Sequence, residues 1–305
     1  MDRNIIEPIT TAKNELKHLV AERRWELALA HLNTIQGQDD ARKENPNTHL
    51  TIYNDSLFYN PAPFQVIEAL VQAYPEGILK PDRSGRYMIY PMDLAISKIE
   101  DEKKRNEVVK LFVKTHTKCF EYCTNVSFQE ALVKCDTEVL KYILQSNPKF
   151  IHQKIPIFWY SDIWRNPIHV ACSMDMCDKI DLLLSFDPSQ AQLVEEDSKM
   201  LPLHLACHPY KRGSIFKLET FKHLIEAYPH ATKEKDTKGR LPLHYACGGA
   251  SYRPGNYNLV GELLKIYLEA AQVRDKRKKP SSSLLDLSNK EIPMQIYRVS
   301  KQAFL

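Results

Sequence analysis

The chain has 305 residues, of which 43% are hydrophobic and 26% charged, with only 9 glycines, a composition that suits a helical protein with a continuous narrow core. Its formal charge of +4 is small for this length and falls short of the dense basic face that nucleic-acid binding usually calls for. No apolar run approaches the roughly 18 residues of a membrane helix, the first twenty residues carry no signal-peptide core, and seven cysteines without a secretory signal argue against disulfides. The expectation is an intracellular protein, cytoplasmic or nuclear, that does not enter a membrane.

Two amphipathic helices are expected at the start. Ile9, Leu16, Leu19 and Val20 share one helical face, and Trp25, Leu29 and Leu32 share a second. Leu50-Thr-Ile-Tyr53, Tyr90-Pro-Met-Asp-Leu-Ala95 and Val126-Ser-Phe-Gln-Glu-Ala131 are then weak copies of a heptapeptide that becomes explicit further on. It reads Asn166-Pro-Ile-His-Val-Ala-Cys172, Leu201-Pro-Leu-His-Leu-Ala-Cys207 and Leu241-Pro-Leu-His-Tyr-Ala-Cys247. The histidines are 35 and 40 residues apart, the self-similarity of a stacked repeat protein.

Each heptapeptide predicts a helix start, because proline fits a first turn whose N–H would have no partner. A second helix follows, with Phe221, Leu224, Ile225 and Tyr228 apolar in one copy and Leu259, Leu263, Leu264 and Tyr267 in the next. Proline ends it at Ala227-Tyr-Pro229, and a charged turn with glycine, Asp236-Thr-Lys-Gly-Arg240, leads to the next copy.

Helix, helix and protruding turn, with Pro-Leu-His opening the first helix, resembles the ankyrin repeat. The family's consensus has Thr before Pro-Leu-His. Asn166, Leu201 and Leu241 stand in its place, so the helix starts here are expected to be weakly capped and to lean on packing. The resemblance implies an all-α solenoid of about eight helix pairs with short hairpin turns, one domain over 1–305. Residues 1–46 form its N-terminal capping pair, 47–280 the repeats and 281–305 a C-terminal cap. The histidine position then runs through Tyr53, Asp93, Gln129, His169, His204, His244 and Asp286. These gaps exceed the basic period of about 33. The excess falls between the helices at Asn54 to Ala62, His208 to Leu218 and Gly248 to Asn258.

His169, His204 and His244 invite a metal reading that geometry rejects. Stacked helices stand about 8 to 10 Å apart, whereas zinc needs each ligand about 2 Å away. They are expected to tie each helix start to the neighbouring turn. Cys172, Cys207 and Cys247 share one position and read as small buried apolar groups. His116, Cys119 and Cys123 lack a fourth ligand at suitable spacing. No Gly-x-Ser-x-Gly, phosphate loop, dinucleotide fingerprint or His-Glu-x-x-His occurs, so neither an enzyme nor a cofactor or metal is expected.

In the family that the chain resembles, partners usually contact the hairpin tips and first helices. The tips here include Asp82 to Arg86, Asp197 to Met200, Asp236 to Arg240 and Asp275 to Lys279, with basic residues after each Asp. Lys199, Lys238 and Arg240 are therefore candidate contacts for an acidic segment of another protein. One tip differs. Ile155 to Trp164 carries Phe158, Trp159, Tyr160 and Trp164, an aromatic finger that either grips a partner or folds back onto the segment Phe128 to Ile151. The expected function is that of a monomeric adaptor for another protein. The alternative is a nuclear or nucleic-acid-associated role for the basic run 274–279.

Overall fold

The structure is a computed structural model that describes residues 15–42, 53, 56–57, 61–81, 89–120, 125–156, 164–208, 216–250 and 256–280. The chain divides into two compact units, Met1–Pro148 and Lys149–Leu305. Among the described residues the fold is all-helical apart from one two-residue antiparallel pair, and no helix is long and apolar enough to cross a membrane.

The first unit begins with α1 (Glu15–Ala21) and α2 (Trp25–Leu32), which bury Leu16, Leu19, Val20, Ala28 and Leu32 between them. A third helix follows that the sequence pattern does not announce, α3 (Ile35–Arg42). Its inner face is Gly37, Asp40 and Ala41, and Ile35 points to solvent. Asp40 can be buried because His31 bonds it at 3.0 Å and Gln36 donates to it at 3.0 Å.

Next come α4 (Phe64–Ala73), α5 (Pro91–Lys98), α6 (Glu102–Thr115), α7 (Asn125–Lys134) and α8 (Thr137–Ser146). The first helices α5 and α7 pack on each other, as do the second helices α6 and α8. Two groups hold this packing. Tyr53 is buried and donates its hydroxyl to the Tyr74 carbonyl at 2.7 Å, with its ring edge-on to Phe112. Burial then drives its phenol well above the usual range. Arg105 is 6% exposed and reaches the carbonyls of Ile99 and Glu100 after α5 and of Lys134 at the end of α7. One guanidinium thus satisfies carbonyls that two helix ends leave without intrahelical partners.

The second unit opens with β1 (Ile155–Pro156) paired antiparallel to β2 (Trp164–Arg165). Three helix pairs follow: α9 (Pro167–Ser173) with α10 (Cys177–Phe186), α11 (Pro202–Cys207) with α12 (Leu218–Ala227), and α13 (Pro242–Ala250) with α14 (Asn256–Ile266). Each heptapeptide therefore opens a helix at its proline, as the sequence predicts. First helices α9, α11 and α13 pack in order, and second helices α10, α12 and α14 pack beside them. Cys172, Cys207 and Cys247 lie in the seam of the first helices, and burial pushes all three thiols up. The second helices α10 and α12 stop two residues before proline. Pro188 and Pro229 instead open 3-10 turns, so Tyr228 caps α12 and does not continue it.

The expected inter-helix insertions and tip Asp82 to Arg86 fall largely outside the described residues, as do the cap 281–305 and Asp286.

Candidate functional site

The helix starts explain how the tips are held. Neither Asn166 nor Leu201 makes a side-chain cap bond, and the histidine three residues on supplies one at Leu201. Leu201 donates its N–H to His204 Nδ1 at 3.1 Å, and Leu241 to His244 Nδ1 at 3.0 Å. A backbone N–H can only donate, so Nδ1 is unprotonated and Nε2 carries the hydrogen. In His204 that hydrogen goes to the carbonyl of Arg240 at 3.2 Å, in the next tip. His244 bonds the backbone of Lys279 in the same way. His169 Nε2 pairs with Leu193 at 3.0 Å, while its Nδ1 has no partner among the described residues. Burial lowers all three rings, His169 and His204 to about 4. In the first unit Asp93 does the same job, accepting the N–H of Tyr90 at 2.9 Å.

After each of the second helices α10, α12 and α14 the chain makes a tight turn. In Asp236 to Arg240, Asp236 N–H bonds the Arg240 carbonyl at 3.0 Å, and Asp236 Oδ1 accepts from Lys238 and Arg240 N–H, both at 2.8 Å. Asp275 to Lys279 repeats this, with Asp275 Oδ1 accepting from Arg277 and Lys279 N–H at 2.9 Å. Gly239 and Lys278 take the left-handed conformation, φ 74° and 63°. The third turn is one residue longer. It closes from Glu195 N–H to the Met200 carbonyl at 3.0 Å, with Lys199 left-handed at φ 57°. Its acid is Glu195, and Asp197, the residue the sequence pattern selects, is exposed.

Neighbouring turns are joined through the backbone. Thr237 N–H donates to the Ser198 carbonyl at 2.9 Å, and Lys276 N–H to the Lys238 carbonyl at 3.0 Å. Gly239 assists, since a Cβ there would stand 3.3 Å from Lys276 N. Thr237, Lys238, Arg240, Asp275, Lys276 and Arg277 consequently line one groove of about 230 Å³. A second, of about 350 Å³, runs past Val194, Lys199, Tyr228 and Lys235.

The candidate cations are not alike. Arg240 is held inside, 3.2 Å from Asp236 and 4.3 Å from the centre of the Tyr245 ring. Burial alone would raise the Asp236 carboxyl, but the Tyr245 hydroxyl at 2.6 Å and Arg240 bring it below its ordinary value. Lys199 and Lys238 are exposed and make no ion pair among the described residues. Lys276 and Arg277, which belong to the same groove, are visible in the sequence as a basic run but not as neighbours of Lys238.

Phe158, Trp159 and Tyr160 lie outside the described residues, and of Trp164 only the backbone is described. The base of the finger is tied to the next turn by two ion pairs, Arg165 with Glu195 and Lys154 with Glu196. The β1–β2 ribbon precedes α9 as the turns precede α11 and α13. Cys123 is outside the described residues too, and among those described no group of three His, Cys, Asp or Glu side chains is placed to hold a metal ion. No protein-family model matches the chain, and no curated protein matches it.

Proposed function

We propose that the chain is an ankyrin-type repeat adaptor that holds another protein through its tips, chiefly Glu195 to Met200, Asp236 to Arg240 and Asp275 to Lys279. The observation that carries this reading is the division of labour within the tips. Backbone bonds and the inward Asp236 carboxylate make the turns, while Lys199, Lys238, Lys276 and Arg277 stay exposed and make no ion pair among the described residues. A structural role would use those charges, as Lys110 is used against Glu138 at 2.7 Å. Their arrangement suits an acidic partner segment.

The experiment is a capture comparison between the native chain and a variant with Lys199, Lys238, Lys276 and Arg277 changed to Ser. The adaptor reading expects a defined set of acidic proteins to be lost with the melting temperature unchanged. An unchanged set would remove the tips from the function. The nucleic-acid alternative for 274–279 expects bound nucleic acid in the native capture, and association that collapses steeply with salt.

A further inference from the structure

Several charged side chains of the second unit are paired locally. Lys217 pairs with Asp178, Lys265 with Glu262 at 2.8 Å, Arg165 with Glu195, and Arg240 with Asp236. The groove between the last two described tips gathers three cations that have no ion pair among the described residues. They are Lys238, Lys276 and Arg277, and Thr237 adds a hydroxyl whose hydrogen-bonding capacity is unused among the described residues. Two acids stand nearby, and both are engaged. Asp236 is buried against Arg240 and Tyr245, and Asp275 Oδ1 already accepts two backbone N–H groups. Lys278 and Lys279, both exposed, extend the positive charge along the tip.

Resting on the adaptor reading above, we infer that this groove binds a phosphorylated side chain, phosphoserine or phosphothreonine, in the partner's segment. Three unpaired cations line the groove with the one carboxylate of Asp275, so a single further carboxylate would leave a positive charge unbalanced. A phosphomonoester near pH 7 carries about −1.5 to −2 and offers three strong acceptor oxygens, a match for two ammonium groups, one guanidinium fork and one hydroxyl. The size agrees. A space of about 230 Å³ admits one phosphorylated side chain, and the two-tip frame around it is fixed by the Lys276 to Lys238 backbone bond. Among the described residues no aromatic ring lines the groove, which argues against a nucleic-acid strand, whose bases need a stacking platform. The Tyr245 ring beneath Arg240 is buried and covered by it.

The test uses the full chain and three fluorescent decapeptide pools of otherwise equal composition, with a fixed central phosphoserine, glutamate or serine. Binding is read by anisotropy. The inference expects the phosphoserine pool to bind about tenfold or more tighter than the glutamate pool, the gain of one or more charge-assisted hydrogen bonds. It expects Lys238→Ser with Arg277→Ser to abolish that preference with an unchanged melting temperature, and Lys222→Ser on α12 to leave it intact. Equal binding of the phosphoserine and glutamate pools, lost in the double variant, would overturn the phosphate assignment and leave the acidic-segment reading standing. If no pool binds and the double variant captures the same proteins as the native chain, both readings fall. A twenty-nucleotide single strand that displaces the phosphoserine pool at lower concentration than unlabelled phosphopeptide does would overturn the inference in favour of nucleic acid.

Discussion

The ring of His204 reaches a carbonyl 36 residues further along the chain: Nδ1 accepts the N–H of Leu201 at the start of its own helix, and Nε2 donates to the carbonyl of Arg240 in the following turn. His204→Ala removes both bonds, leaving the buried Leu201 N–H without its partner and the Arg240 carbonyl with only the bond from Asp236 N–H. The expected loss is about 2 kcal/mol, from the desolvation of such groups. Thermal melts decide it, and elemental analysis on the same samples should find no difference in bound zinc between native protein and variant.

Acid should weaken the second unit at a pH well above carboxylate titration. His169 and His204 titrate near 4 in the folded chain, held there first by burial, and near 6.5 when unfolded. The unfolded chain therefore takes up protons that the folded chain refuses. Stability is full above about pH 6.5 and falls as pH drops towards 4, by about 2 kcal/mol per histidine at pH 5. His223, raised by its bond to Asp181, works in the opposite direction and offsets part of this. His204→Gln should flatten the stability slope between pH 7.5 and 5. A slope unchanged in the variant would remove His204 as its source.

Gly77 is required by packing. A Cβ there would stand 2.4 Å from the Tyr53 ring and 2.7 Å from that of Tyr74. Gly77→Ala should cost about 1 to 3 kcal/mol through overpacking. Tyr53→Leu in the same chain should recover part of that loss, and a double-mutant cycle measures the coupling.

Asp93 and His204 perform one task with different chemistry, so they should be interchangeable in part. Asp93→Ala is expected to cost about 1 kcal/mol, the value of an N-terminal cap bond. Asp93→His should cost less than Asp93→Ala, because Nδ1 can accept the Tyr90 N–H. Equal losses in the two melts would contradict that equivalence.

The sequence made some of this legible and hid the rest for identifiable reasons. Pro167, Pro202 and Pro242 mark helix starts because proline's missing N–H is harmless only there. Helix α3 escapes because its inner face is Gly37, Asp40 and Ala41, a pattern with no apolar period, and its one large apolar residue is exposed. Glu195 escapes because the turn it closes carries one extra residue, which moves the acid out of the register set by Asp236 and Asp275. Arg240 and Lys238 look alike as cations two residues apart. Only the folded turn shows that one faces Asp236 and Tyr245 while the other is exposed.

The hydrogen bonds that join one tip to the next run from Thr237 to Ser198 and from Lys276 to Lys238, main chain to main chain. Nothing in that linkage depends on the side chains at 237, 238 or 276. Their chemistry can be rewritten while the frame stays as it is, provided Asp236, Asp275 and a left-handed residue at 239 and 278 are kept. The tips are in this sense sockets: a library varied at 238, 276 and 277 alone would sample new ligands on an unaltered chassis.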